Sequence, residues 1–83
     1  MKKVYYDEGF SGNNKYTFEV YELDDGSYKA VARRWNRKLN LVNVETHFVA
    51  KTRADLREQN YPRTRQVKIF LNSDFWSNQN GQD

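Results

Sequence analysis

The 83-residue sequence contains no cysteine, one histidine, one proline and one methionine. Without cysteine, neither disulfides nor thiolate metal sites can staple the fold, and a reducing compartment suits the chain. One histidine, His47, and scattered carboxylates make no metal-ligand set, so neither metal nor cofactor is expected. The four glycines form no phosphate-cradling loop between a strand and a helix. No apolar run approaches the roughly 18 residues of a membrane span, and MKKVYYDEGF lacks the apolar core of a secretory signal. A cytoplasmic protein is the expectation.

Charge and aromatic surface are abundant instead. Hydrophobic content is only 37%, but 16% of residues are aromatic, and large rings bury much area per residue. This composition predicts a single small domain over residues 1–72 with a thin core. Residues 73–83 read as a polar tail that frays, its start tacked down by Phe75 and Trp76. The net charge of +3 is unevenly spread. Residues 26–72 carry eleven cations against three carboxylates, Glu45, Asp55 and Glu58, whereas residues 1–25 sum to −3. Such asymmetry points to a polyanion or to an acidic protein groove as the partner.

Hydrophobic periodicity predicts an α+β fold in the order β-β-β-β-α-β. The sheet has four or five strands, mostly antiparallel, with one short helix packed on one face. The organising stretch is Tyr28–Lys38, which alternates as a strand. Tyr28, Ala30, Ala32 and Arg34 lie on one face and Lys29, Val31, Arg33 and Trp35 on the other. Before it, Tyr16–Leu23 also alternates, and Asp24-Asp25-Gly26 supplies a three-residue hairpin loop with glycine in the left-handed position. That loop sets the register: Val20 opposes Ala30, Phe18 opposes Ala32, Tyr21 opposes Lys29 and Thr17 opposes Arg33. A first strand is expected at Lys3–Asp7, and Glu8–Lys15, with two Gly and two Asn, reads as a loop. A three-residue turn at Asn36–Lys38 leads into a strand at Leu39–Val49, placing Ala32 against Val42, Ala30 against Val44 and Lys29 against Glu45. Thr52-x-x-Asp55 has the pattern of a capping box and starts a helix at Arg53–Asn60, offering Ala54, Leu56 and Tyr61 to the alanine-floored face. Arg65–Leu71 alternates as a final strand.

Catalysis finds little footing. His47 shares a strand face with Glu45, but no serine lies in a nucleophile elbow, and Asp24 with Asp25 is explained by turn chemistry. A non-enzymatic binding protein is the expectation. Its leading surface is the polar sheet face with the adjoining turn: Tyr21, Lys29, Arg33, Trp35, Arg37, Lys38 and Asn43. Arginine pairs bidentately with phosphate, lysine acts as a point charge, and tryptophan or tyrosine stacks on bases. Lys51, Arg53, Arg57, Arg63 and Arg65, with Lys68 beside them, form a secondary basic group. Arg34 falls on the helix side, nearer to that second group. Nucleic acid, DNA or RNA, is therefore the first expected partner. The alternative is a small inhibitor or adaptor of the phage or mobile-element type that binds a host protein or nucleoprotein complex.

Two likenesses accompany this reading. The segment YYDEGFSGNN resembles a stretch of the serine recombinases, although their Arg-x-Ser nucleophile motif is absent. The layout of Tyr16–Asn60 is similar to the arm-binding domains of tyrosine-type integrases, which lay a three-stranded sheet in the major groove. Small phage inhibitors of host defence share the same order of elements.

Overall fold

The computed structural model describes residues 1–76. Four strands, β1 (Lys2–Ser11), β2 (Asn14–Glu22), β3 (Tyr28–Asn36) and β4 (Leu41–Ala50), form an open antiparallel sheet in sequential order. Two short helices, α1 (Arg53–Arg57) and α2 (Arg65–Leu71), follow. α1 contacts β3 and β4, and α2 contacts β1 and β2, so both cover one face of the sheet. The fold is α+β.

The β2–β3 hairpin has the register its loop dictates, with Val20 opposite Ala30, Phe18 opposite Ala32, Tyr21 opposite Lys29 and Thr17 opposite Arg33. Gly26 takes φ 87°, and its amide donates to the Leu23 carbonyl at 3.0 Å. The Asp25 carboxylate locks the turn by accepting from the Ser27 amide at 2.9 Å and its hydroxyl at 2.6 Å. Short polar side chains that bond their own backbone two residues on are the usual reason for aspartate at such a place.

The β3–β4 register differs from expectation. Ala32 opposes Thr46, Ala30 opposes Phe48, and Glu45 faces Arg33 rather than Lys29. The turn holds Arg37–Asn40, because Asn40 adopts φ 55° and so does the work of the missing glycine. The Asn36 side chain accepts from the Leu39 amide at 2.9 Å, and a bulge between Arg34 and Trp35 adds one more step of shift. Loop and bulge together move Val44–Ala50 by an even number of residues, so these keep their faces, whereas Val42, before the bulge, pairs with Trp35 on the opposite face.

Glu8–Lys15 is not a loop. β1 runs on to Ser11 and closes through a tight turn at Gly12-Asn13, where Gly12 takes φ 58°. Gly9, which reads as a turn residue, lies inside β1 because any Cβ there would collide with the buried Gln66 side chain crossing over it. Glycine here marks a close approach rather than a bend.

The last element is a helix, not a strand. Thr64 caps α2 by accepting from the Val67 amide at 3.3 Å, and Gln66, Val67 and Phe70 are buried. The alternation of Val67, Ile69 and Leu71 suggested a period of two, but Ile69 is 43% exposed, and the buried pair Val67 and Phe70 follows helical spacing. α1 is also shorter than the expected Arg53–Asn60. Thr52 does cap it, accepting from the Asp55 amide at 3.1 Å, and Leu56 is buried, whereas Ala54 is exposed.

Phe70 is the hub of the core. Its ring centroid lies 4.6 Å from Phe18, 4.7 Å from Tyr5, 5.0 Å from Trp76 and 5.4 Å from Phe75. Phe75 and Trp76 are buried among these rings and tack down the chain just beyond α2. The remainder of the expected tail, 77–83, lies outside the described residues. Arg53 fastens this segment to the sheet. Its Nη1 donates to the Phe75 carbonyl at 2.9 Å, its Nε to the Tyr28 hydroxyl at 3.2 Å, and its guanidinium stacks 4.5 Å from the Phe75 ring. Among the described residues, no helix is long and apolar enough to cross a membrane.

Candidate interaction surface

The face opposite the helices carries most of the residues that composition singled out, and they are occupied with one another. Alternation places Lys3 on β1, Glu19 and Tyr21 on β2, Arg33 on β3, and Glu45 and His47 on β4 on one face, in a diagonal row that steps across neighbouring pairs. Glu19 is only 5% exposed and accepts from Arg33 Nη1, from the Tyr21 hydroxyl at 2.7 Å and from Lys3 Nζ at 3.1 Å. Arg33 Nε donates to Glu45 Oε1 at 2.6 Å, and Glu45 Oε2 meets His47 Nε2 at 2.6 Å. Burial alone would raise the Glu19 pKa, but the hydrogen bonds from Tyr21, Lys3 and Arg33 outweigh it and hold the carboxylate below its ordinary range. Bonds from Arg33 and then His47 pull Glu45 down to about 2. The row is a ladder of alternating sign across all four strands, with Val31 buried at 2% exposure between Glu19 and His47. A guanidinium already shared between two carboxylates has little left for a phosphate.

Trp35 is likewise engaged. Its indole Nε1 donates to the buried Thr17 hydroxyl at 2.9 Å, and Lys15 Nζ sits 5.2 Å from the ring centroid. Lys29 stands at the other end of the same face. Asn43 is the exposed β4 residue passed over where Trp35 pairs with Val42 and Arg34 with Val44. The leading surface is thus split: Tyr21 and Arg33 belong to the ladder, and Arg37 and Lys38 belong to the turn.

That turn is the better-equipped site. The β1–β2 and β3–β4 turns lie at the same end of the sheet and are stitched together, the Arg37 amide donating to the Asn13 carbonyl at 2.8 Å. The Arg37 guanidinium stacks 4.5 Å from the Phe10 ring, and Phe10 remains 53% exposed. On the helix side, two adjoining depressions share Tyr16 and Thr64. One has Ala32 in its lining and is bounded by Arg34, Val44 and Pro62, and the other is bounded by Phe10, Arg63 and Arg65. The three segments 11–16, 34–40 and 63–66 hold six cations, Lys15, Arg34, Arg37, Lys38, Arg63 and Arg65, and no carboxylate. Glu8 reaches in to Lys15 at 3.6 Å, while Arg34, Lys38, Arg63 and Arg65 have no ion-pair partner among the described residues.

The secondary basic group divides. Arg63 and Arg65 join this end, whereas Arg53 and Arg57 cover core aromatics, Arg57 lying 5.3 Å from the Trp76 ring. Lys51 is exposed beside α1, and Lys68 is exposed on α2. Arg34, Phe10, Lys15 and Tyr16 were not among the residues singled out for the leading surface. Arg34 carried a signal, since its parity put it with the second basic group. Phe10 was hidden by reading its strand as a loop.

Among the described residues, no group of His, Asp or Glu is arranged to hold a metal ion. No family model matches the chain, and no curated protein or solved structure is significantly similar to it.

Proposed function

We propose that this protein binds single-stranded nucleic acid at the end of the sheet where the two turns meet. The observation that carries the reading is the gathering of Arg34, Arg63 and Arg65 beside the half-buried Tyr16, with the exposed Phe10 and Lys38 at the adjoining end of the sheet, these four cations having no ion-pair partner among the described residues. Exposed arginines and lysine track a phosphate backbone, and aromatic rings accept unstacked bases with little regard to sequence. A duplex offers no free base faces to such rings, which favours a single strand. The sheet face proper contributes rigidity, because its own charges cancel along the ladder.

Fluorescence anisotropy with a labelled single-stranded oligonucleotide tests this reading. Four phosphate contacts give a slope of roughly −3 in log K against log salt for a single strand. Arg34→Ala combined with Arg65→Ala flattens that slope by roughly 1.4, while Phe10→Ala weakens affinity by about 1–3 kcal/mol through lost stacking. No binding at low salt refutes the proposal.

A further inference from the structure

We propose that β4 is a self-association edge, through which two copies of this chain pair antiparallel about Thr46 into one continuous sheet. Both outer strands of an open sheet present unpaired backbone groups, and soluble proteins guard such edges with lysine, proline, bulges or brevity. β1 is guarded by Lys2, Lys3 and a bulge between Lys3 and Tyr5. β4 is ten residues long and contains no lysine, arginine or proline. Leu41, Val42, Val44 and Val49 are exposed by 59%, 41%, 45% and 63% along it.

The sequence of β4 is complementary to its own reverse. Pairing Thr46 with Thr46 across a two-fold axis sets Glu45 of each copy against His47 of the other, twice by symmetry, on the ladder face. On the helix face the same register sets Val44 against Phe48, twice by symmetry. Val44 meets Phe48 and the carboxylate meets the imidazole, so the central pairs on both faces are satisfied at once. Shifting the axis to Glu45 would instead oppose the two carboxylates directly. The paired segment Val44–Phe48 also lies on the regular side of the bulge between Arg34 and Trp35. The two helix layers then lie on the same side of the joined sheet, and the two basic ends point away from each other. Charge complementarity and residue pairing favour a second copy over an unrelated strand.

Sedimentation equilibrium of the full chain, from low micromolar to millimolar concentration, tests the proposal. The expected result is a reversible monomer–dimer equilibrium. His47→Glu replaces two opposed Glu–His pairs by like-charged pairs and weakens dimerisation by about tenfold or more. His47→Lys retains the dimer, and Thr46→Lys, which places two ammonium groups at the axis, abolishes it. Circular dichroism of each variant verifies that the monomer is folded. A protein that stays monomeric throughout, or a dimer that His47→Glu and Thr46→Lys leave intact, overturns the proposal. Oligonucleotide affinity at concentrations where the protein is monomeric is unaffected by either outcome.

Discussion

Replacing Arg33 by alanine separates a structural role from a ligand contact more sharply than any other single change. Its guanidinium bridges Glu19 and Glu45, and Glu19 has a side chain only 6% exposed. Breaking a fully buried ion pair by removing one partner costs about 3–5 kcal/mol, because the other charge is left uncompensated. Two features reduce this here. The Arg33 side chain is 24% exposed, and Glu19 keeps its bonds from Tyr21 and Lys3. The expected loss is therefore about 2 kcal/mol, set against a total stability of about 4–12 kcal/mol for a chain of this length. For a domain of this size that lowers Tm by about 8–16 °C. Denaturant and thermal unfolding followed by circular dichroism read the change directly. Adding Glu19→Gln to Arg33→Ala recovers part of the loss, because a neutral amide is easier to leave without the guanidinium, and the double-mutant cycle gives the coupling. Oligonucleotide affinity, measured below the lowered Tm, stays within about twofold of the parent protein, a difference of about 0.4 kcal/mol. The reasoning is wrong if Arg33→Ala changes stability by less than about 0.5 kcal/mol while eliminating nucleic-acid binding.

Other consequences follow from the same contacts. Phe70→Ala removes the central ring of the core and costs about 3–5 kcal/mol, comparable with the whole stability, whereas Ile69→Ala on the open side of α2 costs under about 1 kcal/mol. Equal effects in urea melts would restore the strand reading of this segment. Gly9→Val drives a side chain into Gln66 and destabilises by about 1–3 kcal/mol, and Gln66→Ala in the same chain relieves most of that loss. Glu19 and Glu45 both have pKa values below those of unfolded carboxylates, so their contribution is present above about pH 4.3 and is lost as pH falls through the folded values. Unfolding free energy measured from pH 7 to pH 3 therefore declines, and Glu19→Gln flattens the profile. Tyr5 is pushed up to about 12 by burial and by Asp7 and Asp74, so stability is also lost as pH rises above about 10. Absorbance at alkaline pH shows its phenol ionising with unfolding rather than before it.

The β2–β3 hairpin was legible because its turn carries both an aspartate that bonds the backbone and a glycine that accepts a positive φ, and these fix loop length and register together. The β3–β4 hairpin was legible only in parity. Asn40 can take the left-handed conformation, yet many asparagines do not, and nothing local announces the bulge at Arg34/Trp35. Arg65–Leu71 satisfies both a two-residue and a helical period. The decision lies in the Thr64 cap and in the aromatic cluster that Phe70 enters, formed with rings more than fifty residues away along the chain. The candidate site suffered from the same limit. Charge counts gathered Arg33 with Arg37 and Arg53 with Arg65, but pairing depends on which carboxylate the register brings alongside. A shift of four residues moved Glu45 from Lys29 to Arg33 and so closed the ladder, leaving at the turn end the cations that have no ion-pair partner among the described residues.

Amide chemical-shift mapping during titration with a short single-stranded oligonucleotide tests the central claim most directly. The account predicts shifts concentrated at Phe10–Tyr16, Arg34–Asn40 and Arg63–Gln66, with little movement at Glu19, Val31 and Arg33. Shifts centred on the ladder, or none anywhere at low salt, would contradict it.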